Sequence, residues 1–122
     1  MLQTHRVDAG EKERFIRRKG LELRQQPERD HTRWSRHAIA ELVEEQWTRR
    51  DAEGGLRACD VIEDYPALHR ALPDCLVLGR LGSGAPFHAV IAIDESNDRV
   101  FFVTVYRPSP EEWEDDWRTR KQ

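Results

Sequence analysis

Three apolar runs in the second half of the chain limit what this protein can fold into. Residues 75–81, 87–94 and 100–106 are rich in Val, Ile, Leu and Phe, and each has the length of a β-strand. The connecting residues 82–86 and 95–98 are turn formers in segments short enough to be hairpin loops. We therefore expect an antiparallel meander of three strands, against which the rest of the chain packs.

The sequence around this meander is polar. Charged residues make up 35% of the 122 residues, and the formal net charge is −3. A net negative chain has no overall field that attracts it to nucleic acid or to an anionic membrane. Basic residues are nevertheless concentrated between positions 12 and 36, whereas residues 111–116 read EEWEDD. A local anion-binding face is therefore compatible with the net charge.

Cysteine usage and the lack of long apolar runs indicate the compartment. The two cysteines, Cys59 and Cys75, are not accompanied by an apolar signal-peptide region or by a run of membrane-spanning length. We expect reduced thiols in a cytoplasmic protein that does not contact a membrane. A disulfide between the two cysteines is the less favoured alternative.

Helices are expected in the first half of the chain. Residues 11–25 predict a mostly charged helix, and Ser35 is the expected N-cap of a second one. The apolar positions of the second helix fall on one face at i, i+3, i+4 and i+8: Ile39, Leu42, Val43 and Trp47. Thr48 and Asp51 resemble a capping box, which predicts a short third helix through about Ala58.

The remaining elements complete the predicted fold. Residues 60–65 predict a first strand, followed by a loop, residues 66–73, that carries His69 and Arg70. Ser109, followed by a proline and two glutamates, is typical of a helix start and predicts a C-terminal helix that packs on the sheet.

The predicted order α-α-α-β-β-β-β-α indicates the α+β class. We expect N-terminal helices packed on a four-stranded antiparallel sheet, with a C-terminal helix. Residues 1–32 form a predicted helical extension, and residues 33–122 a single α+β domain.

Motifs for common cofactor and metal sites are absent from the sequence. The five histidines lack metal-ligand spacing, and neither CxxC nor HExxH occurs. Gly79, Gly82 and Gly84 precede a predicted strand rather than a helix, so they are better explained as turn glycines than as a phosphate loop. We therefore expect no metal and no cofactor.

One group of polar residues does fall on the predicted sheet. His88 lies inside a strand, and a three-residue loop within 94–99 would pair it with Thr104 or Tyr106 on the same face. Arg80 lies on the neighbouring strand. One interpretation is a strand histidine that bonds a threonine hydroxyl, and spacing alone favours it. The other is a face that holds a phosphodiester and moves its protons.

A longer pattern resembles a known family. The motifs that carry the resemblance are Ser35-Arg36-His37-Ala38, Val61-Ile62-Glu63-Asp64-Tyr65-Pro66, Cys75-Leu76-Val77-Leu78-Gly79-Arg80, Pro86-Phe87-His88-Ala89-Val90, Val103-Thr104-Val105-Tyr106, Pro108 and Trp113. Over about residues 33–120 the chain is similar to DUF4258, a family of small bacterial proteins catalogued as a domain of unknown function. Members of that family look like relatives of the RelE/MqsR ribonuclease toxins, and their genes often neighbour a zinc-finger antitoxin.

This resemblance implies a fold, an activity and partners. The implied fold is RelE-like, and the implied activity is that of a toxin of a toxin–antitoxin system, a metal-independent endoribonuclease. The implied partners are RNA and an antitoxin protein of the zinc-finger type, and a homodimer is left open.

The same resemblance suggests roles for individual residues. A ribose 2′-OH would attack the adjacent phosphate and leave a 2′,3′-cyclic phosphate, which requires a base, an acid and cations. The candidates are His37 and His88 for proton transfer, Tyr106 as a stacking or hydroxyl group, and Arg80, Thr104 and Arg118 for substrate binding. The alternative function, which the net charge favours, is a non-catalytic protein-binding module of a toxin–antitoxin-like complex, which uses the same sheet face and the acidic C-terminal helix to bind its partner.

Overall fold

A computed structural model describes residues 8–65 and 72–122 of the chain. The elements are α1 (Ala9–Gln25), β1 (Thr32–Trp34), α2 (Arg36–Glu45), α3 (Arg49–Glu53), β2 (Asp60–Asp64), β3 (Asp74–Arg80), β4 (Pro86–Asp94) and β5 (Arg99–Tyr106). Two 3₁₀ turns, Leu56–Ala58 and Glu95–Asn97, connect neighbouring elements. Most of the predicted loop 66–73, with His69 and Arg70, lies outside the described residues.

A mixed five-stranded sheet forms the centre of the molecule, with the strand order β1-β5-β4-β3-β2. The predicted α+β class and the antiparallel meander β3-β4-β5 are confirmed, and β2 adds to it in antiparallel orientation. The prediction of four antiparallel strands is wrong, because β1 forms a fifth strand that pairs in parallel with β5.

Backbone and aromatic contacts explain this additional edge strand. The Val100 N–H donates to the carbonyl of His31 at 3.0 Å, and the Ser35 N–H donates to the carbonyl of Phe102 at 3.0 Å. The Trp34 ring stacks on the Phe102 ring, with centroids 3.9 Å apart. The chain thus enters the sheet for three residues on its way from α1 to α2, without an apolar run that would predict a strand.

The predicted helix caps are present. The Ser35 hydroxyl accepts from the Ala38 N–H at 2.9 Å, and Thr48 and Asp51 form the reciprocal capping box. The third helix ends at Glu53 rather than near Ala58. A 3₁₀ turn replaces its last part, where two glycines at positions 54 and 55 lower helix propensity.

The helices cover one face of the sheet. Buried residues of β3, β4 and β5 pack with Ile16 of α1, Leu42 of α2 and Leu56 of the 3₁₀ turn in a single core cluster. The close approach of the 3₁₀ turn requires a glycine in α1, since a Cβ on Gly20 would lie 2.5 Å from the Arg57 nitrogen. The division of the domain at residue 32 stays a prediction.

Two lysines attach α1 to the sheet by burying their ammonium groups. Lys12 Nζ contacts the Asp64 carboxylate and donates to the carbonyl of Asp74 at 2.9 Å. Lys19 Nζ lies 2.7 Å from a carboxylate oxygen of Asp98, at the turn between β4 and β5. A buried ammonium group requires such partners, so these contacts fix the helix at two points along one end of the sheet.

The prediction of a C-terminal helix is wrong. After β5, the N–H groups of Glu112 and Trp113 share the carbonyl of Ser109, and no further helical turn follows. Residues 107–122, here called the C-terminal segment, instead form turns and an isolated antiparallel bridge between Trp113 and Arg120. Trp113 and Trp117 therefore do not share a helix face.

The contact between β3 and β4 gives a first testable prediction. A Cβ added at Gly79 would lie 2.3 Å from the Phe87 ring, which is fully buried. We expect Gly79→Ala to lower the free energy of unfolding by about 1–3 kcal/mol, as overpacking of a core does. Urea denaturation followed by tryptophan fluorescence would measure the change.

Gly82→Ala is the matched control, because no atom lies within 4 Å of the Cβ it would add. Its free energy of unfolding should stay within about 0.5 kcal/mol of the parent protein. Equal stability of the two variants would contradict the proposed close packing of Gly79 against Phe87.

Candidate functional site

His88 lies at the centre of the sheet face that the helices do not cover. Its side chain is 0% exposed. It pairs across the strands with Leu78 of β3 and with Tyr106 of β5. The Trp113 ring meets it edge to face, with centroids 4.5 Å apart. The C-terminal segment therefore covers a polar residue that sequence reasoning placed in an open site.

The hydrogen bonds of His88 define its protonation state. Nε2 lies 2.7 Å from the carbonyl oxygen of Trp117, which can only accept, so Nε2 carries the hydrogen. In the neutral ring, Nδ1 is the acceptor for the Tyr106 hydroxyl at 3.4 Å. Burial lowers the pKa of His88 from its ordinary value of 6.5. The imidazole is thus neutral and bonded on both nitrogens.

Two ion pairs hold the C-terminal segment over His88. Arg120 forms a bidentate pair with the Glu63 carboxylate of β2, at 2.6 and 3.1 Å, and its guanidinium lies over the Trp113 ring. Arg118 bonds Asp60 at the start of β2 at 2.9 Å. The bond from Arg120 lowers the pKa of Glu63, which keeps that carboxylate charged. The predicted substrate ligand Arg118 is therefore engaged in fixing the segment.

A second group of polar residues lies where α2 meets β5. His37 is in the first turn of α2, its side chain is 71% exposed, and its Nε2 lies 3.4 Å from Glu41 Oε1. The same Glu41 oxygen accepts from the Thr104 hydroxyl at 2.5 Å and from the Val105 N–H at 2.9 Å. Glu41 therefore holds a fixed carboxylate beside an imidazole that solvent can reach.

Tyr106 lies beside His88, two residues after Thr104 on β5. Its hydroxyl bonds His88, and its pKa is raised, mainly by burial and also by the negative charges of Glu63, Glu112 and Glu41. A raised pKa keeps the phenol protonated at neutral pH, so the hydroxyl remains a proton donor. The His37, Glu41 and Tyr106 side chains are called the α2–β5 site below.

The structure brings together some of the predicted site residues and separates others. His88 contacts Tyr106 directly, whereas His37 and Thr104 meet through Glu41. The structure gives no hydrogen bond or ion pair between His37 and His88. Arg80, at the end of β3, has its guanidinium 3.4 Å from the carbonyl oxygen of Gly84.

Sequence reasoning missed three carboxylate and guanidinium groups of this region: Glu41, Glu63 and Arg120. Glu41 could have been found, because it follows His37 by four residues on a predicted helix and so shares its face. Glu63 and Arg120 are 57 residues apart in the sequence, and no local pattern predicts their pairing.

Neither a metal-ligand cluster nor a membrane span is found in the part of the chain that the structure describes. In residues 8–65 and 72–122, no group of three or more His, Cys, Asp or Glu side chains could hold a metal ion. Over the same ranges, no helix is long and apolar enough to cross a membrane.

Comparison with known families gives one match. The family model described as a domain of unknown function, DUF4258, matches residues 34–107. That range includes α2 and β2 to β5, with the whole α2–β5 site, and leaves out α1 and most of the C-terminal segment. No curated protein and no solved structure matches the chain.

The lowered pKa of His88 gives a prediction for stability against pH. Above about pH 6.5 the imidazole is neutral in the folded and the unfolded chain. As the pH falls below that value, the unfolded chain binds a proton first, so the free energy of unfolding decreases. We expect a decrease of this kind between about pH 6.5 and 5 in chemical denaturation.

His88→Gln is the informative variant, since the glutamine amide can still donate to the Trp117 carbonyl. It should lose the part of the slope that His88 contributes, whereas the exposed His37→Gln variant should keep it. An unchanged slope in folded His88→Gln would show that His88 does not cause the pH dependence.

Proposed function

The chain belongs to the DUF4258 family, and we propose that it is a metal-independent endoribonuclease that acts as the toxin of a toxin–antitoxin pair. The observation that carries this proposal is the α2–β5 site. An exposed imidazole lies there beside a fixed carboxylate, and a protonated phenol lies on β5, two residues after the threonine that holds this carboxylate. The resemblance of the sequence to relatives of RelE-type toxins supplies the substrate class.

The proposed reaction is attack of a ribose 2′-OH on the adjacent phosphate. His37 accepts the 2′-OH proton while the new bond from the 2′-oxygen to phosphorus forms. The bond from phosphorus to the 5′-oxygen breaks, and the leaving oxygen takes the proton of the Tyr106 hydroxyl. Tyr106 then regains a proton, which His37 releases through water. The products are a 2′,3′-cyclic phosphate and a 5′-hydroxyl end.

Glu41 is the positioning residue of this mechanism. Two donors from β5 hold its carboxylate, so it can orient the His37 ring and stabilise the imidazolium that forms. The Thr104 hydroxyl is one of these donors. Thr104, predicted to bind substrate, therefore holds Glu41 in place instead.

His88 has a different role from the one its sequence position suggested. Because its side chain is 0% exposed, an RNA phosphate cannot contact it while the C-terminal segment is in place. In the proposed mechanism His88 accepts the Tyr106 hydrogen bond in the unbound protein and holds the phenol in place, and the O–H turns from His88 to the leaving oxygen when RNA is bound. It is a positioning residue rather than a group that touches the reacting atoms.

Arg80 and Arg118 remain the proposed phosphate ligands, with unequal support. The Arg80 guanidinium is exposed and forms one long contact with a carbonyl oxygen, so a phosphate can take it as a partner. Arg118 is ion-paired with Asp60 and would have to exchange that carboxylate for the phosphate. The proposal therefore depends more on Arg80.

A nuclease assay with purified protein tests the function. Single-stranded RNA incubated in EDTA should be cut to fragments that end in 2′,3′-cyclic phosphate. We expect His37→Ala to reduce the cleavage rate by about 10²–10⁴-fold, as loss of a general base does. The fragment ends would be identified by mass spectrometry.

Two variants of α2 separate chemistry from folding. Glu41→Gln keeps an oxygen that can accept from Thr104 and Val105 but loses the charge beside His37, so we expect slower cleavage by a correctly folded protein. Glu44→Gln is the matched control, because Glu44 is exposed on the same helix. Cleavage by His37→Ala at the parent rate would exclude the proposed mechanism.

A non-catalytic protein-binding module is the second candidate, and one observation favours it. Val43 and Ile39 of α2 are 72% and 37% exposed, although the sequence predicted them on the buried face with Leu42. The two side chains are four residues apart and therefore neighbours on the helix surface, which gives a protein partner an apolar strip to cover. Failure of the parent protein to cut RNA would leave this function as the better one, with an antitoxin-like protein as the partner.

A further inference from the structure

A cleft that shares no residue with the α2–β5 site is lined by three arginines. It has a volume of about 530 Å³ and lies between the C-terminal half of α1, α3 and the following 3₁₀ turn. Its lining consists of Gly20, Leu23, Arg24, Pro27, Arg50, Glu53, Gly54 and Arg57. The volume is in the range of small-ligand pockets.

The three arginines differ from most others in the protein. Arg17, Arg18, Arg33, Arg49, Arg99, Arg107, Arg118 and Arg120 each form an ion pair with a carboxylate. In residues 8–65 and 72–122, none of Arg24, Arg50 and Arg57 does so, and all three are exposed. Three guanidiniums from three segments therefore border one cleft without internal charge compensation.

The one carboxylate of the lining is already engaged. Glu53 Oε2 accepts from the Thr32 hydroxyl at 2.6 Å and from the Trp34 indole N–H at 3.0 Å. These bonds tie Glu53 to β1, and Arg49 lies 3.7 Å away on its own helix. Glu53 is therefore not an ion-pair partner of the three arginines, which remain available to an external anion.

The walls of the cleft are fixed relative to one another. Gly20 of α1 packs directly against the backbone of Leu56 and Arg57, with space for no Cβ. A preformed site loses less freedom on binding than one that must be assembled. The backbones of the two elements that carry Arg24 and Arg57 are thus held against each other.

We propose that this cleft binds a ligand that carries two or more phosphate groups. Guanidinium groups bind phosphate oxygens in bidentate pairs, and three of them match a polyphosphate better than a single carboxylate. Leu23 and Pro27 add an apolar wall for the non-phosphate part of the ligand. A nucleoside polyphosphate and an RNA backbone share this chemistry.

The proposal is independent of the nuclease mechanism. None of its residues belongs to the α2–β5 site. Half of the lining lies in the segment that precedes residue 34, outside the range that the family model matches. The site is thus a property of this chain that combines its N-terminal helix with the family domain.

Calorimetric titration of the full chain with inorganic tripolyphosphate tests the site. We expect binding that weakens by at least about tenfold for each of Arg24→Gln, Arg50→Gln and Arg57→Gln, since each removes a charge-assisted contact. Arg14→Gln, an exposed position on α1, is the matched control and should bind like the parent protein. Circular dichroism would show that each variant is folded.

A second titration separates the two sources of phosphate. If a single-stranded RNA oligonucleotide binds, loses affinity in the same three variants and is displaced by tripolyphosphate, the cleft takes an RNA backbone. If tripolyphosphate binds but the RNA does not depend on the three arginines, the ligand is a small polyphosphate. Either result supports the site, whether or not the RNA is cut.

Two results would overturn it. One is that neither probe binds the parent protein. The other is that tripolyphosphate binds the folded triple variant as tightly as it binds the parent.

Discussion

On the sheet face that the helices do not cover, the structure depends on the hydrogen bonds of one buried imidazole, that of His88. A polar side chain without solvent contact costs free energy unless its donor and acceptor are both paired. For His88 the partners are the Trp117 carbonyl and the Tyr106 hydroxyl. The first partner requires the chain to return over the sheet after β5, and this return brings Arg118 and Arg120 to their carboxylates on β2.

This requirement explains why the C-terminal segment is not a helix. In a helix through this region the Trp117 carbonyl would accept from the N–H of Lys121, four residues later. Here that N–H donates to the carbonyl of Glu112, and the Trp117 carbonyl accepts from His88. Trp117 takes a left-handed backbone conformation, with φ at +60°, where the chain turns back. Local propensity favoured a helix, and the tertiary contacts outweigh it.

Whether a feature could be predicted from the sequence depends on how far apart in the sequence its interacting residues lie. Strands β3 to β5 and the caps at Ser35 and Thr48 arise from residues close in sequence, so alternation and capping patterns found them. The same alternation predicted that His88 could face Tyr106, and the register confirms this pairing. Strand β1 and the burial of His88 depend on partners far away in sequence, and local sequence patterns do not show such partners.

The net charge and the ion pairs of this protein limit how it can bind an anion. At physiological salt, charges act over about 8 Å, so a net charge of −3 offers a phosphate no attraction from a distance. Arginines that hold the C-terminal segment are neutralised by Asp60 and Glu63, and they add little to the surface potential. Binding of a phosphate must therefore come from short-range contacts where cations are left without carboxylates. Arg80 and the three-arginine cleft meet that condition. The charge distribution therefore favours binding of a phosphate by local contacts over long-range attraction by the net charge of the protein.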